Sequence, residues 1–144
     1  MTYKLGNKSK EKLEGVDERM QAVVHAAIGQ TSQDFSVICG LRTKKEQEAL
    51  VAKGASQTMK SKHLGGYAVD LMAYIDGGRW ELNLYDEIAD AMKSAAKELG
   101  VKLRWGAAWH SYLRKRGCGL FRYGGRCYEL LCRFKTVSGA QTFY

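Results

Sequence analysis

No stretch of the chain approaches the roughly 20 consecutive apolar residues that a membrane-spanning helix needs, and the opening Met1-Thr2-Tyr3-Lys4-Leu5-Gly6 lacks the apolar block of a secretory signal. These two absences predict a product without a membrane span, made in the cytoplasm. No two cysteines stand in C-x-x-C spacing. Cys39 is alone in an apolar run, and Cys118, Cys127 and Cys132 crowd the last quarter, so neither a disulfide framework nor a structural zinc knuckle is expected. Internal repeats and low-complexity tracts are missing, and proline is absent altogether. Acid is scarce at one end only: residues 111–144 hold seven Lys/Arg against the single acid Glu129.

That last shortage decides how the net charge of +8 is read. The first 110 residues keep 16 of the 23 basic and 14 of the 15 acidic side chains, so the body of the protein is nearly neutral and the excess sits in the tail. With 144 residues, 45% of them hydrophobic, the chain suits one compact domain with a real core. A monomer is expected.

The periodicities suit a mixed fold. Residues 8–15 are polar. Val16, Met20, Val23, Val24, Ala27 and Ile28 then recur at spacings of three and four, which predicts an amphipathic helix that also carries His25. Phe35-Ser36-Val37-Ile38-Cys39, closed by Gly40, reads as a strand. Thr43 to Lys53 reads as a helix, with Thr43 and Glu46 forming a capping box and Gly54 ending it. Tyr67 to Tyr74 suits a buried strand broken by Asp76-Gly77-Gly78. Asn83 to Leu99 reads as a second amphipathic helix, on Leu84, Ile88, Ala91, Met92, Ala95 and Leu99, stopped by Gly100. Val101 to Trp105 is a further short strand. Residues 111–144 show no sustained period, so the domain is drawn at 1–110 with an atypical basic tail behind it.

The segment that carries chemistry is Ser61-Lys62-His63-Leu64-Gly65-Gly66-Tyr67-Ala68-Val69-Asp70. A histidine on a glycine-rich loop and an aspartate on the following strand can converge on one point, and imidazole plus carboxylate suits Zn²⁺. The bland alternative is an ordinary histidine and an aspartate that caps a turn.

As a whole, S-x-H-x-x-G-x-A-x-D resembles the signature of the M15 family of zinc D-Ala-D-Ala carboxypeptidases and L-alanyl-D-glutamate endopeptidases. Leu5-Gly6 and Leu13-Glu14-Gly15-Val16 look like the opening of its phage endolysin branch. Gly40-Leu41-Arg42-Thr43 with Gln47 looks like its arginine segment, and Leu103-Arg104-Trp105-Gly106 with Trp109 like its W-G-x-x-W segment. The resemblance covers about residues 3–110. It implies a single α+β zinc-peptidase domain, a small antiparallel sheet flanked by helices. It also implies Zn²⁺ as cofactor, peptidoglycan peptide stems as substrate, and action at the cell wall after release by a separate holin. By the same resemblance His63 and Asp70 are metal ligands, and Arg42 is a catalytic cation beside the substrate carbonyl or carboxylate. Ser61 and Trp105 are substrate-site residues.

The pattern breaks toward the C-terminus. The family completes its site with an acid and, three residues later, a third histidine, as in D-x-P-H. Here the last histidine is His110, the position three before it is Ala107, and the only later acid is Glu129. His110 is a candidate substitute for the third ligand. Two other readings stay open: a catalytically impaired homologue lacking the third ligand and general base, and a nucleic-acid-binding protein that uses the basic tail with Tyr112, Phe121, Tyr123, Tyr128 and Phe134. A hypothesis for the tail is that residues after about His110 are an out-of-frame reading. With permitted codon choices, a one-base shift lets residues 134–143 decode as R-R-S-x-G-R-x-P-F, which resembles the segment before the family's acid and histidine. Resequencing tests this, because an intact single frame in independent isolates would sink it.

Overall fold

The computed structural model describes residues 2–54, 59–79, 81–105 and 133–136. Its elements run α1 (Asn7–Leu13), α2 (Glu18–Gln30), β1 (Phe35–Cys39), α3 (Lys44–Ala52), a 3-10 turn (Lys62–Gly65), β2 (Ala68–Tyr74), β3 (Gly78–Arg79), α4 (Leu82–Glu98), β4 (Leu103–Trp105) and β5 (Arg133–Thr136). The expected α+β class is what the chain adopts. The strands form one antiparallel sheet in the order β1-β2-β5-β4, and β3 folds back on the end of β2. Among the described residues no helix is long and apolar enough to cross a membrane.

β2 divides the molecule. Val69, Leu71 and Ala73 alternate toward the core, where they meet Met20, Val23, Val24 and Ala27 of α2 and Ile88, Met92 and Ala95 of α4. Asp70, between two of those residues, therefore belongs to the opposite face. Tyr85 of α4 ties the helix layer to the sheet, because its hydroxyl accepts from Ala73 N at 3.1 Å and donates to Arg79 O at 2.8 Å. α4 ends as expected at Gly100, in a Schellman arrangement: φ is +67°, Gly100 N donates to Lys97 O and Val101 N to Ala96 O.

Local chemistry sets the other ends. Asp17 caps α2 by accepting from Arg19 N at 3.0 Å. The capping box of α3 forms in both directions: Glu46 N donates to Thr43 Oγ1 at 3.2 Å, and Thr43 N donates to Glu46 Oε2 at 3.0 Å.

Three details differ from the sequence reading. The polar segment 8–15 contains a helix, α1, because Ser9 and Leu13 are buried on one side of an otherwise charged stretch. Two buried positions in seven are too few to show a period. Leu99 belongs to the cap of α4 and is 48% exposed, while Tyr85 fills the core instead. Residues 133–136 lie beyond the boundary drawn at 110, yet β5 pairs with β2 on one side and β4 on the other. Antiparallel pairing needs only backbone donors and acceptors, so a segment without hydrophobic alternation can still complete a sheet. His110 and the remaining tail positions lie outside the described residues.

Candidate metal and catalytic site

The site stands on the face of β2 turned away from the core, where β1 ends. Phe35, Ser36 and Val37 pair with Ala73, Met72 and Leu71, but Asp70 is then met by Cys39 in place of Ile38. Ile38 is the extra residue of a β-bulge. A bulge re-aims the residue that follows it, and here it puts Cys39 on the face occupied by Asp70. α1 covers this edge of the sheet: Val37 N donates to the buried Ser9 Oγ at 3.0 Å. The approach is close enough that a Cβ on Gly40 would stand 2.1 Å from Lys12 O.

The 3-10 turn delivers His63 from the other side. Ser61 caps it, accepting from His63 N at 3.3 Å, and Arg42 N donates to His63 O at 2.9 Å. Gly66 closes the turn at φ +74°, and its carbonyl accepts from Asp17 N at 2.8 Å. A side chain there would be strained and would also meet Gly15 O at 2.6 Å. The two glycines thus seat the loop against the start of α2.

His63 is fully buried. Its Nδ1 lies 2.8 Å from Gly40 O, which can only accept, so Nδ1 carries the hydrogen. In the neutral ring Nε2 is then a lone pair facing Asp70 Oδ2 at 3.3 Å, and no described residue donates a hydrogen bond to it. Two acceptors facing each other in a buried place require a cation between them. A proton is one solution. Although burial pulls His63 down, Asp70 and then Cys39 outweigh it and push its pKa up to about 9. A metal ion is the other. Tetrahedral donors at zinc bond lengths stand roughly 3.3–3.4 Å apart, which is the spacing found between Nε2 and Oδ2. The hydrogen bond to Gly40 O fixes the ring in the tautomer that a ligand at Nε2 needs.

Arg42 completes the cluster. Its Nη1 donates to Oε1 of the buried Gln47 at 2.8 Å, its Nη2 donates to Cys39 Sγ at 3.3 Å, and Asp70 Oδ2 lies 3.8 Å from Nη2. Cys39, His63 and Asp70 each offer a donor atom within 4.8 Å of the others. Burial raises the Cys39 thiol, but His63 beside it brings it below its ordinary value. Two cavities, of about 520 Å³ and 400 Å³, are both lined by Arg42. The first is lined by Leu41, Thr43, Lys44, Met59 and Leu64, and the second reaches Cys39 and Glu46.

Three residues expected at the site, Arg42, His63 and Asp70, thus stand together, with Ser61 at the cap of the turn. Trp105 packs against the core, its ring under Lys93 Nζ at 5.0 Å from the centroid. Sequence reasoning missed Cys39, which it set aside as a cysteine in an apolar run. The available signal was its place directly before the Gly-x-Arg segment. It also assigned Gln47 no partner.

Residues 1–117 match the family model of the phage L-alanyl-D-glutamate peptidases. The chain belongs to that family. The L-alanyl-D-glutamate peptidase of Escherichia phage T5 is 35% identical over 116 residues, covering 77% of this chain and 85% of the relative. That of Listeria phage A118 is 38% identical over 74 residues, which are 51% of this chain and 25% of the relative. Among solved structures, the Serratia marcescens L-Ala D-Glu endopeptidase ChiX superposes with a TM-score of 0.76 at 31% identity, covering 93% of this chain and 90% of its own. The family match contains every residue of the cluster around His63.

Proposed function

We propose that this peptidase is a zinc-dependent endopeptidase that hydrolyses the L-alanyl-D-glutamate bond in the peptide stems of bacterial peptidoglycan. His63 and Asp70 hold the metal, and Arg42 is the catalytic cation. The observation that carries the reading is the buried pair of acceptors, His63 Nε2 and Asp70 Oδ2, facing each other at 3.3 Å with a guanidinium 3.8 Å from the carboxylate. Zinc, when bound, lowers the pKa of a coordinated water to about 7 and polarises a carbonyl.

The chain's own residues supply the rest. Gln47 and Cys39 hold two of the Arg42 nitrogens, so the guanidinium is oriented before substrate arrives and loses little freedom on binding. Its remaining N–H groups stabilise negative charge developing on the scissile carbonyl oxygen, or clamp the carboxylate of the D-glutamate residue. The two cavities that Arg42 lines give a peptide room beside that point. Ser61 keeps the His63 loop in register. Action at the cell wall, with release from the cell by a holin, follows from the same reading.

Digestion of purified peptidoglycan tests it. New D-glutamate amino termini should appear, vanish with a chelator and return with zinc; zinc-independent cleavage would reject the mechanism. A second reading has one observation in its favour: the sequence beyond His110 contains a single acid, Glu129, and no histidine. On that reading the chain is an impaired homologue, which would bind zinc without turnover in the same assay.

A further inference from the structure

We infer that Cys39 is a sulfur ligand of the metal in this chain, making the site a Cys-His-Asp set with one position left for water or substrate. The inference rests on the zinc reading of the same site and adds to it a donor outside the His and Asp pattern.

Three observations carry it. The β-bulge at Ile38 turns Cys39 onto the face of Asp70, so that the two residues stand opposite each other across β1 and β2. The sulfur lies 3.7 Å from Nδ1 of the His63 ring, and one donor atom from each of Cys39, His63 and Asp70, a ring nitrogen in the case of His63, falls within 4.8 Å of the other two. His63 is fully buried and its Nε2, which faces Asp70, has no hydrogen-bond partner among the described residues, so a second group of the cluster also calls for a cation.

The chemistry agrees. Three protein donors with an open fourth position is the ligand count of catalytic zinc, and thiolate, imidazole and carboxylate are all accepted by that ion. With ligand bonds of about 2.3 Å to sulfur and 2.0–2.1 Å to nitrogen, the sulfur needs to close on the Nε2 side by a rotation of the Cys39 side chain. A half-buried cysteine at the last position of an edge strand has that freedom. Binding releases the thiol proton and the proton on His63 to solvent, and no electrons change hands. Arg42, now 3.3 Å from the sulfur, continues to donate to it, as outer partners of metal-bound thiolates do.

Cobalt(II) loaded into the full chain tests the assignment. The variant Cys118→Ser/Cys127→Ser/Cys132→Ser, which keeps Cys39 alone, should show both visible ligand-field bands and a near-ultraviolet thiolate-to-cobalt charge-transfer band. Cys39→Ser should keep the visible bands, lose the charge-transfer band, and bind zinc more than about tenfold more weakly, since even outer partners of metal ligands carry about 10- to 100-fold. Ligand-field bands without the charge-transfer band in the triple variant would overturn the role of Cys39 and leave the metal reading standing. Failure of both proteins to take up cobalt would overturn the two together. If Cys39→Ser does not fold, the cadmium-113 resonance of the triple variant decides: a position in the sulfur-ligated range supports the assignment, and one in the range of nitrogen and oxygen ligands refutes it.

Discussion

Raising the pH should destabilise the metal-free protein and strengthen its hold on zinc over the same interval, because the His63 proton is at stake in both. Nδ1 of His63 is committed to Gly40 O, so the titrating proton sits on Nε2, opposite Asp70 Oδ2. In the unfolded chain His63 titrates near the ordinary 6.5; in the folded chain its pKa is about 9. A raised folded value means stability that is fully present below pH 6.5, declines as the pH climbs toward 9, and is gone above it. The two values lie about 2.5 pH units apart, so the contribution at stake is about 3 kcal/mol, taking about 1.4 kcal/mol per unit.

Zinc must displace the same proton. In Cys39→Ser, where His63 gives up the only proton, the apparent affinity should therefore rise about tenfold per pH unit up to about 9, and be about a hundredfold weaker at pH 7 than at pH 9, while the thiol proton makes the wild-type slope steeper. Urea unfolding of chelator-treated protein between pH 6 and 9, with zinc titrations against a competing dye, measures both slopes. Running Cys39→Ser in parallel removes the thiol's own ionisation from the comparison. Asp70→Asn is the control: without the carboxylate, only Cys39 opposes the lowering by burial, so the pKa of His63 falls and the downward slope in stability should shrink, and in the Cys39→Ser background it should disappear. A metal-free protein whose stability is flat or rises from pH 6.5 to 9, or one in which Asp70→Asn leaves the slope unchanged, would refute the reasoning.

Other substitutions probe the frame around that proton. Arg42→Ala should lower the rate of peptidoglycan cleavage by about 10²- to 10³-fold, the usual effect of removing one preorganised donor, with zinc content by metal analysis unchanged. A loss of zinc in that variant would make Arg42 structural. Gly40→Ala should destabilise by about 1–3 kcal/mol or more, because the added Cβ meets Lys12 O at 2.1 Å and pushes α1 off β1; thermal unfolding reads this, and an unchanged midpoint would contradict the close approach. Tyr85→Phe leaves Ala73 N and Arg79 O without their shared partner and should cost about 1–3 kcal/mol in denaturant unfolding. Full stability in that variant would mean that water replaces the hydroxyl.

Much of this protein is local in origin and could be read from the sequence. The capping box at Thr43 and Glu46, the glycine stop at Gly100 and the apolar faces of α2 and α4 each follow from residues within a few positions of one another. The separation of His63 from Asp70 by a glycine-rich turn and the start of a strand is equally local. The convergence of those two side chains with Arg42 was legible only through the resemblance of three short motifs.

Tertiary structure decided what depends on distant backbone. The bulge at Ile38 that turns Cys39 toward Asp70 exists only in the pairing of β1 with β2. The tautomer of His63 is fixed by a carbonyl 23 residues away. Gln47 gained its meaning from the guanidinium it holds, and residues 133–136 gained theirs from two strands that needed a neighbour. His63 and Asp70 could be picked out from the sequence as ligands, but the positive charge that their 3.3 Å separation demands came into view only when the fold buried them face to face.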